Sequence, residues 1–211
     1  MEFHSGKSLS YPSSRISGKI LKAKYLILAM RPHQWIKNIV IFAPIIFSQN
    51  IFHWAMLGKI TVAFLLFCSY SGCVYIINDM LDMEADKKHP LKRLRPIASG
   101  KLAKSTALWG ITAILWGSLL LGWFISQSFF LIASLYLIVQ IAYSYILKKV
   151  VILDAFSIAA GFVLRVIAGA EAIRVPISSW LLICTMLLSL FLALSKRRHE
   201  LILLEGDAVN H

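Results

Sequence analysis

Acid is scarce in this sequence: Asp and Glu together number 10 in 211 residues, and charged residues of both signs make up 15%, where soluble domains carry about a quarter. Beside a 58% hydrophobic share, so little charge excludes an ordinary soluble globule. Cysteine is scarce as well. Cys68, Cys73 and Cys184 sit inside apolar runs without a C-x-x-C pair, which excludes a disulfide framework and leaves them as small core hydrophobes. The N-terminal region lacks the apolar core of a cleavable signal peptide: the first 24 residues are polar and basic, and the apolar piece Tyr25 to Met30 is too short. Signatures of DNA or RNA binding are also missing. The net charge of +12 therefore points to anionic lipid or phosphate, with no nucleic acid as partner.

Apolar sequence is abundant, and a bilayer core takes about 20 such residues per span. Runs at roughly 38–52, 56–77, 105–125, 129–147, 150–173 and 177–195 predict six transmembrane helices. The fold class expected is all-α, a polytopic membrane helix bundle. The first run is short and holds Pro44, so it is read either as kinked or as starting earlier, near Trp35. Residues 1–30 form a separate basic segment in which Ile16, Ile20 and Ile27 alternate with Lys19, Lys22 and Lys24. It reads equally as a helix lying on an anionic membrane surface or as a disordered basic tail. The transmembrane domain then occupies 31–211.

Lysine and arginine set the orientation. They crowd before the first run (Arg31, Lys37), between the second and third (Lys87 to Lys104), after the fourth (Lys148, Lys149) and after the sixth (Lys196 to Arg198). The opposite loops hold little more than Lys59 and Arg174. Both ends and the 79–104 loop are thus expected to face the cytoplasm, with the protein in the cytoplasmic (inner) membrane.

That loop carries most of the unusual chemistry. The second span runs into Asn78-Asp79-Met80-Leu81-Asp82-Met83-Glu84-Ala85-Asp86. On a continuing helix Asp79, Asp82 and Asp86 fall at about 0°, 300° and 340°, Asn78 near 260°, and Glu84 on the other side near 140°. Carboxylates packed so closely repel one another unless a cation lies between them. Hard oxygen ligands in this pattern suit Mg²⁺, which takes one or two carboxylates and completes its shell with water and substrate phosphate. A solvated acidic helix end is the competing reading. Next come Lys87, Lys88, His89, Lys92, Arg93 and Arg95. Alone they read as a topogenic signal; beside the acids they read as a phosphate-binding run in which Arg93 and Arg95 grip oxygens bidentately. Acid, metal and base together indicate diphosphate chemistry.

The run NDMLDMEAD resembles the N-D-x-x-D-x-x-x-D motif of the UbiA-type intramembrane prenyltransferases. The runs MRPHQWIKN, HPLKRLRPIASG, AYSYILKK, LDAFSIAAGFVLRVIAGA and LALSKRRHEL are similar to the decaprenyl-phosphate phosphoribosyltransferase branch of that superfamily, over about residues 30 to 205. The resemblance implies Mg²⁺-dependent transfer of phosphoribose from phosphoribosyl diphosphate to a polyprenyl phosphate, with Asp79, Asp82 and Asp86 as catalytic metal ligands beside Asn78. It also implies a basic cluster, Lys196, Arg197 and Arg198 with Glu200, where relatives that use a prenyl diphosphate carry a second acidic motif. Transfer of a prenyl chain to an aromatic ring is the alternative. The six runs here, against about nine helices in the family, imply a transmembrane domain incomplete at its C-terminal end.

Further polar groups lie within or at the ends of spans. Arg165, deep in the fifth, needs a partner; Asp154, 11 residues earlier, is too far along the helix to supply it, about 16 Å at 1.5 Å per residue. The pair is read either as lining a polar cavity open to the cytoplasm, with Arg165 near the phosphates, or, for Arg165, as a structural salt bridge to a helix outside this sequence. Tyr143, Tyr145, Lys148 and Lys149 end the fourth span, either as part of the diphosphate site, with the tyrosine left open, or as an interfacial anchor. Lys37 and Lys87 complete the candidate substrate contacts. The oligomeric state is left open, a homo-oligomer among the options.

Overall fold

The computed structural model describes residues 13–209; the side chains of residues 13–19, 149, 151, 196 and 199–209 lie outside that description. The sequence readings placed on the side chains of Lys149, Lys196 and Glu200, and on residues 1–12, therefore fall outside the described residues. Among the described residues every regular element is helical. The chain forms α1 (Ser13–Ala29), a 3-10 helix (Pro32–Phe42), α2 (Ala43–Phe47), α3 (Trp54–Leu81), α4 (Met83–Lys88), a short 3-10 turn (Lys92–Leu94), α5 (Lys104–Ile125), α6 (Gln127–Tyr145), a second short turn (Leu147–Lys149), α7 (Val151–Ile173) and α8 (Ser179–Val209).

Helices α3, α5, α6 and α7 are long and apolar enough to cross a membrane, and the stretch Ser179–Ser195 of α8 is a shorter apolar helix. The protein is a multi-pass membrane helix bundle. The expected span over 38–52 is corrected. No single apolar helix forms there: the segment begins earlier, at Pro32, winds as a 3-10 helix through Phe42, and passes into the five-residue α2. Its physical causes are partly local and partly tertiary. Pro32 fixes the first turn, Asn38 turns into the protein instead of toward lipid, and Gln49 in the left-handed region, φ 59°, stops α2. Since 3-10 runs beyond three or four residues are uncommon, tertiary contacts must hold this one in place.

Helix α3 is the axis of the bundle, packed against α5, α7 and the 3-10 segment. Phe67 sits at its centre, with the rings of Tyr70, Phe129 and Tyr136 at 5.5, 5.9 and 5.1 Å, within the range of favourable edge and tilted contacts. The outer faces of α5 and α6 carry exposed Trp109, Trp116, Phe124 and Leu131, side chains that suit lipid. Between α5 and α6 the turn is closed by Ser126, whose hydroxyl accepts the backbone N–H of Phe129 at 3.0 Å and caps α6. Helix α7 meets the 3-10 segment at a glycine. A Cβ on Gly169 would stand 2.1 Å from the carbonyl oxygen of Ile41, so only glycine allows the two backbones this approach.

Candidate functional site

The acidic residues gather where α3 gives way to α4. The helix does not run on through them: α3 ends at Leu81, Asp82 takes φ −88° and ψ 5°, and α4 restarts at Met83. A continuous carboxylate face is thereby corrected. Asp79 and Asp86, both buried, share one arginine; Arg95 Nη1 lies 3.2 Å from Asp79 Oδ1 and 2.5 Å from Asp86 Oδ2. Asp82 is turned to the other side, where Lys148 Nζ lies 2.9 and 3.0 Å from its two oxygens. Asn78 donates to Asp82 at 3.0 Å and accepts from Lys148 at 3.3 Å. Glu84 points away, as the helical angles predict, and pairs with Lys87 at 2.9 Å. That hydrogen bond, with the Lys87 charge, holds its carboxyl below the usual range.

Arg31 completes the site and was not a candidate from sequence for substrate or metal. It stands in the left-handed region, φ 53°, just before Pro32. Its guanidinium binds Asp79 and lies 5.1 Å over the ring of Tyr75. The signal that could have exposed it is the arithmetic of charge: a buried carboxylate in a membrane bundle demands a cation, and Arg31 is the basic residue that opens the next packed segment. Asp79, Asp82 and Asp86 are thus matched by Arg31, Arg95 and Lys148, each base arriving from a different element.

A second polar knot joins α6, α7 and α8. Tyr143 donates its hydroxyl to Asp154 Oδ1 at 2.8 Å, and Arg197 Nη2 lies 3.0 Å from Asp154 Oδ2. Tyr145, by contrast, is 53% exposed; of the two tyrosines, Tyr143 is the one turned into the bundle end. Arg93, Lys37 and Arg198 are exposed, and Arg95, expected to grip substrate, is engaged by carboxylates instead. Arg165 lies apart from both knots. It is buried, donating from Nε to Asn38 Oδ1 at 2.7 Å, from Nη1 to the Gly161 carbonyl at 2.8 Å and from Nη2 to Tyr136 Oη at 2.8 Å. Among the described residues no carboxylate pairs with it. Its surroundings are neutral oxygen acceptors and the faces of Tyr136 and Phe162, 4.8 and 5.5 Å away.

Residues 39–201 match the model of the UbiA prenyltransferase family. The chain belongs to that family. It is 38% identical over 200 residues to the decaprenyl-phosphate phosphoribosyltransferase of Mycolicibacterium smegmatis, an alignment covering 92% of this chain and 60% of that protein. It is 34% identical over 184 residues to the enzyme of the same name from Corynebacterium glutamicum, covering 85% of this chain and 55% of the relative. A nodulation protein, NoeC of Azorhizobium caulinodans, is 31% identical over 188 residues, covering 85% and 58%. The chain thus spans a little over half the length of these curated relatives.

The donor set can be weighed against Mg²⁺, which proteins of this family generally use. Among the described residues no three acidic, histidine or cysteine side chains converge tightly enough to enclose an ion. That ion, however, is held by one or two carboxylates plus substrate phosphate rather than by an all-protein cage. Asp82 with Asn78 on one side, and Asp79 with Asp86 on the other, offer hard oxygens in that number. The residues present fit the metal.

Proposed function

We propose that the protein transfers 5-phosphoribose from 5-phosphoribosyl 1-diphosphate to a polyprenyl phosphate, decaprenyl phosphate being the acceptor named for its relatives, with release of diphosphate. The observation that carries the reading is the triple exchange of charge at the end of α3. Three carboxylates are each satisfied by an arginine or lysine from another element, and such bases can pass from carboxylate to incoming phosphate without leaving an orphaned charge. A phosphate oxygen of the acceptor attacks C1 of the ribose, the bond from C1 to the diphosphate oxygen breaks, and diphosphate departs with the electron pair. The acceptor is already anionic, so little proton transfer is asked of the protein.

Asp79 with Asp86 on one side and Asp82 with Asn78 on the other would hold Mg²⁺ together with substrate phosphate, and the metal would supply Lewis-acid charge to the departing diphosphate. Lys148, Arg95 and Arg31 turn toward the phosphates, while Arg93, Lys87 and the Arg197–Arg198 pair, with Lys196 beside them in sequence, raise the local positive potential that draws in a polyanion. Tyr143 and Asp154 fix Arg197 at the edge of the site. The same acidic site would serve transfer of a prenyl chain to an aromatic ring. The basic residues Lys196 to Arg198 within α8, where that chemistry uses a second acidic motif, favour the phosphoribosyl donor.

The excess of Lys and Arg in the loops at one end of the bundle supports, on this reading, a site and an N-terminus that face the cytoplasm from the cytoplasmic membrane. The basic helix α1 lies at the surface there, and the product serves cell-envelope polysaccharide synthesis. Membranes containing the protein, incubated with labelled phosphoribosyl diphosphate, Mg²⁺ and polyprenyl phosphate, yield a labelled lipid on this reading. Label appearing only when a prenyl diphosphate and an aromatic acid are supplied would transfer the assignment to the aromatic chemistry.

A further inference from the structure

Arg165 has three neutral acceptors and, among the described residues, no carboxylate partner, and its burial in an apolar helix makes each of those acceptors costly to lose. One of them, Asn38, belongs to the 3-10 segment. Asn38 is completely buried; its carbonyl oxygen accepts from Arg165 Nε at 2.7 Å, while its amide nitrogen lies 3.1 Å from Ser71 Oγ and 3.4 Å from Cys68 Sγ on α3. A single amide therefore ties the segment to α7 through one end and to α3 through the other. Gly169 brings the Ile41 carbonyl against α7 at the next turn of the same interface. The segment opens at Arg31, whose guanidinium lies on the Tyr75 ring and on Asp79.

We infer that Arg165 is a positioning residue, which through Asn38 locks the Pro32–Phe42 segment onto the bundle and so holds Arg31 against Asp79. The argument is geometric. A 3-10 helix of 11 residues does not hold itself, because its hydrogen bonds are poorer than those of an α-helix. Its charged end must nevertheless be placed to a fraction of an ångström for Arg31 to share Asp79 with Arg95. The three donors that Arg165 presents in a fixed plane supply that rigidity, for which a lysine, with one flexible point charge, is no substitute. Arg165 itself hydrogen-bonds Asn38, Gly161 and Tyr136, not the acidic residues.

The activity part of the test rests on the phosphoribosyl-transfer reading, so it is paired with a measurement that does not. Cys68 is buried directly under Asn38 and reports release of the segment. In detergent-solubilised protein, peptide-resolved alkylation of Cys68 by a small maleimide is compared for the unaltered chain, Arg165→Met, Arg165→Lys, Asn38→Leu and Asn38→Asp. The last keeps an oxygen on Arg165 Nε at unchanged size, and its second oxygen can accept from the Ser71 hydroxyl in place of the lost amide N–H. The lock predicts that Arg165→Met, Arg165→Lys and Asn38→Leu each speed Cys68 alkylation by about tenfold or more, with Asn38→Asp restoring most of the protection. In the transfer assay the first three lower kcat by about 100-fold while the KM for the donor moves less than about threefold, and Asn38→Asp recovers most of that loss.

Unchanged Cys68 protection in Asn38→Leu overturns the lock. So does a rise in donor KM with kcat intact in Arg165→Met, which would make Arg165 a phosphate contact. If the unaltered protein makes no labelled lipid, the reaction reading fails, and the alkylation series still decides whether the lock exists. Should Arg165→Met fail to fold, the Asn38 pair, which leaves the arginine in place, carries the decision.

Discussion

Lys148 reaches Asp82 from 66 residues away and holds both of its oxygens, at 2.9 and 3.0 Å. It comes from the turn between α6 and α7, while Asp82 sits at the break between α3 and α4. Both groups are about one-third exposed, at 28% and 35%, so the pair can open toward an entering phosphate without burying a bare charge. Lys148→Met should therefore raise the KM for the diphosphate donor about tenfold and lower kcat by a similar factor, since one group serves both the ground and the transition state. Initial rates over a donor titration check this; a variant impaired only toward the lipid would place Lys148 at the acceptor instead.

Asp86 and Glu84 differ by two positions and by everything else. Asp86 is buried against Arg95, with a side-chain exposure of 4%, while Glu84 is 75% exposed beside Lys87. Asp86→Asn should lower turnover by about 1,000-fold with insertion into membranes intact, whereas Glu84→Gln should change it less than about twofold. Chelation of divalent ions should abolish turnover in the unaltered protein and Mg²⁺ should restore it. Activity in Asp86→Asn within a few-fold of normal would remove Asp86 from the metal and phosphate site.

The long helices were legible because membrane spans are read from one variable, apolar length. The predicted runs 56–77, 105–125, 129–147 and 150–173 lie close to α3, α5, α6 and α7. The run 38–52 deceived because Ile39, Ile41, Phe42 and Ile45 to Phe47 match lipid in composition. What decides its conformation is Asn38, whose burial against Arg165 and Ser71 is a contact at long sequence range that hydropathy does not register. The acidic motif could be found by spacing, but its pairing could not. Whether Arg95 binds substrate or carboxylate depends on where the 89–103 loop folds back, and helical angles computed for an unbroken helix miss the turn at Asp82. Tyr143 and Tyr145 are equivalent by composition and separate only when α7 brings Asp154 to one of them.

That separation gives a direct comparison. Tyr143→Phe removes the hydroxyl that binds Asp154 and should free Arg197 to rotate, raising donor KM by about three- to tenfold. Tyr145→Phe should leave the rate unchanged. Replacing Arg197 and Arg198 together should raise the donor KM more than the lipid KM. Loss of lipid affinity alone would make the α8 cluster an anchor to anionic headgroups.

Gly169 offers a test of the scaffold that needs no assumption about substrate. Its missing Cβ leaves room for the Ile41 carbonyl oxygen, which a methyl group would meet at 2.1 Å, and the obstacle is backbone, not a side chain that can rotate away. Gly169→Ala must therefore push the 3-10 segment off α7 or bend α7 itself, at a cost of about 1–3 kcal/mol. Gly117, with nothing within 4 Å of the position its Cβ would take, is the matched control on α5. There alanine replaces a flexible residue inside a helix and should be neutral or stabilising by up to about 1 kcal/mol. The two should diverge in thermal unfolding in the same detergent, the first melting lower and the second at or above the unaltered protein. Because the displaced segment is the one that carries Asn38 and Arg31, Gly169→Ala should also expose Cys68 to alkylation before the bundle melts. If the two glycine variants melt together and Cys68 stays protected in both, α7 and the segment are not in the backbone contact described, and the anchoring of Arg31 would have to come from elsewhere.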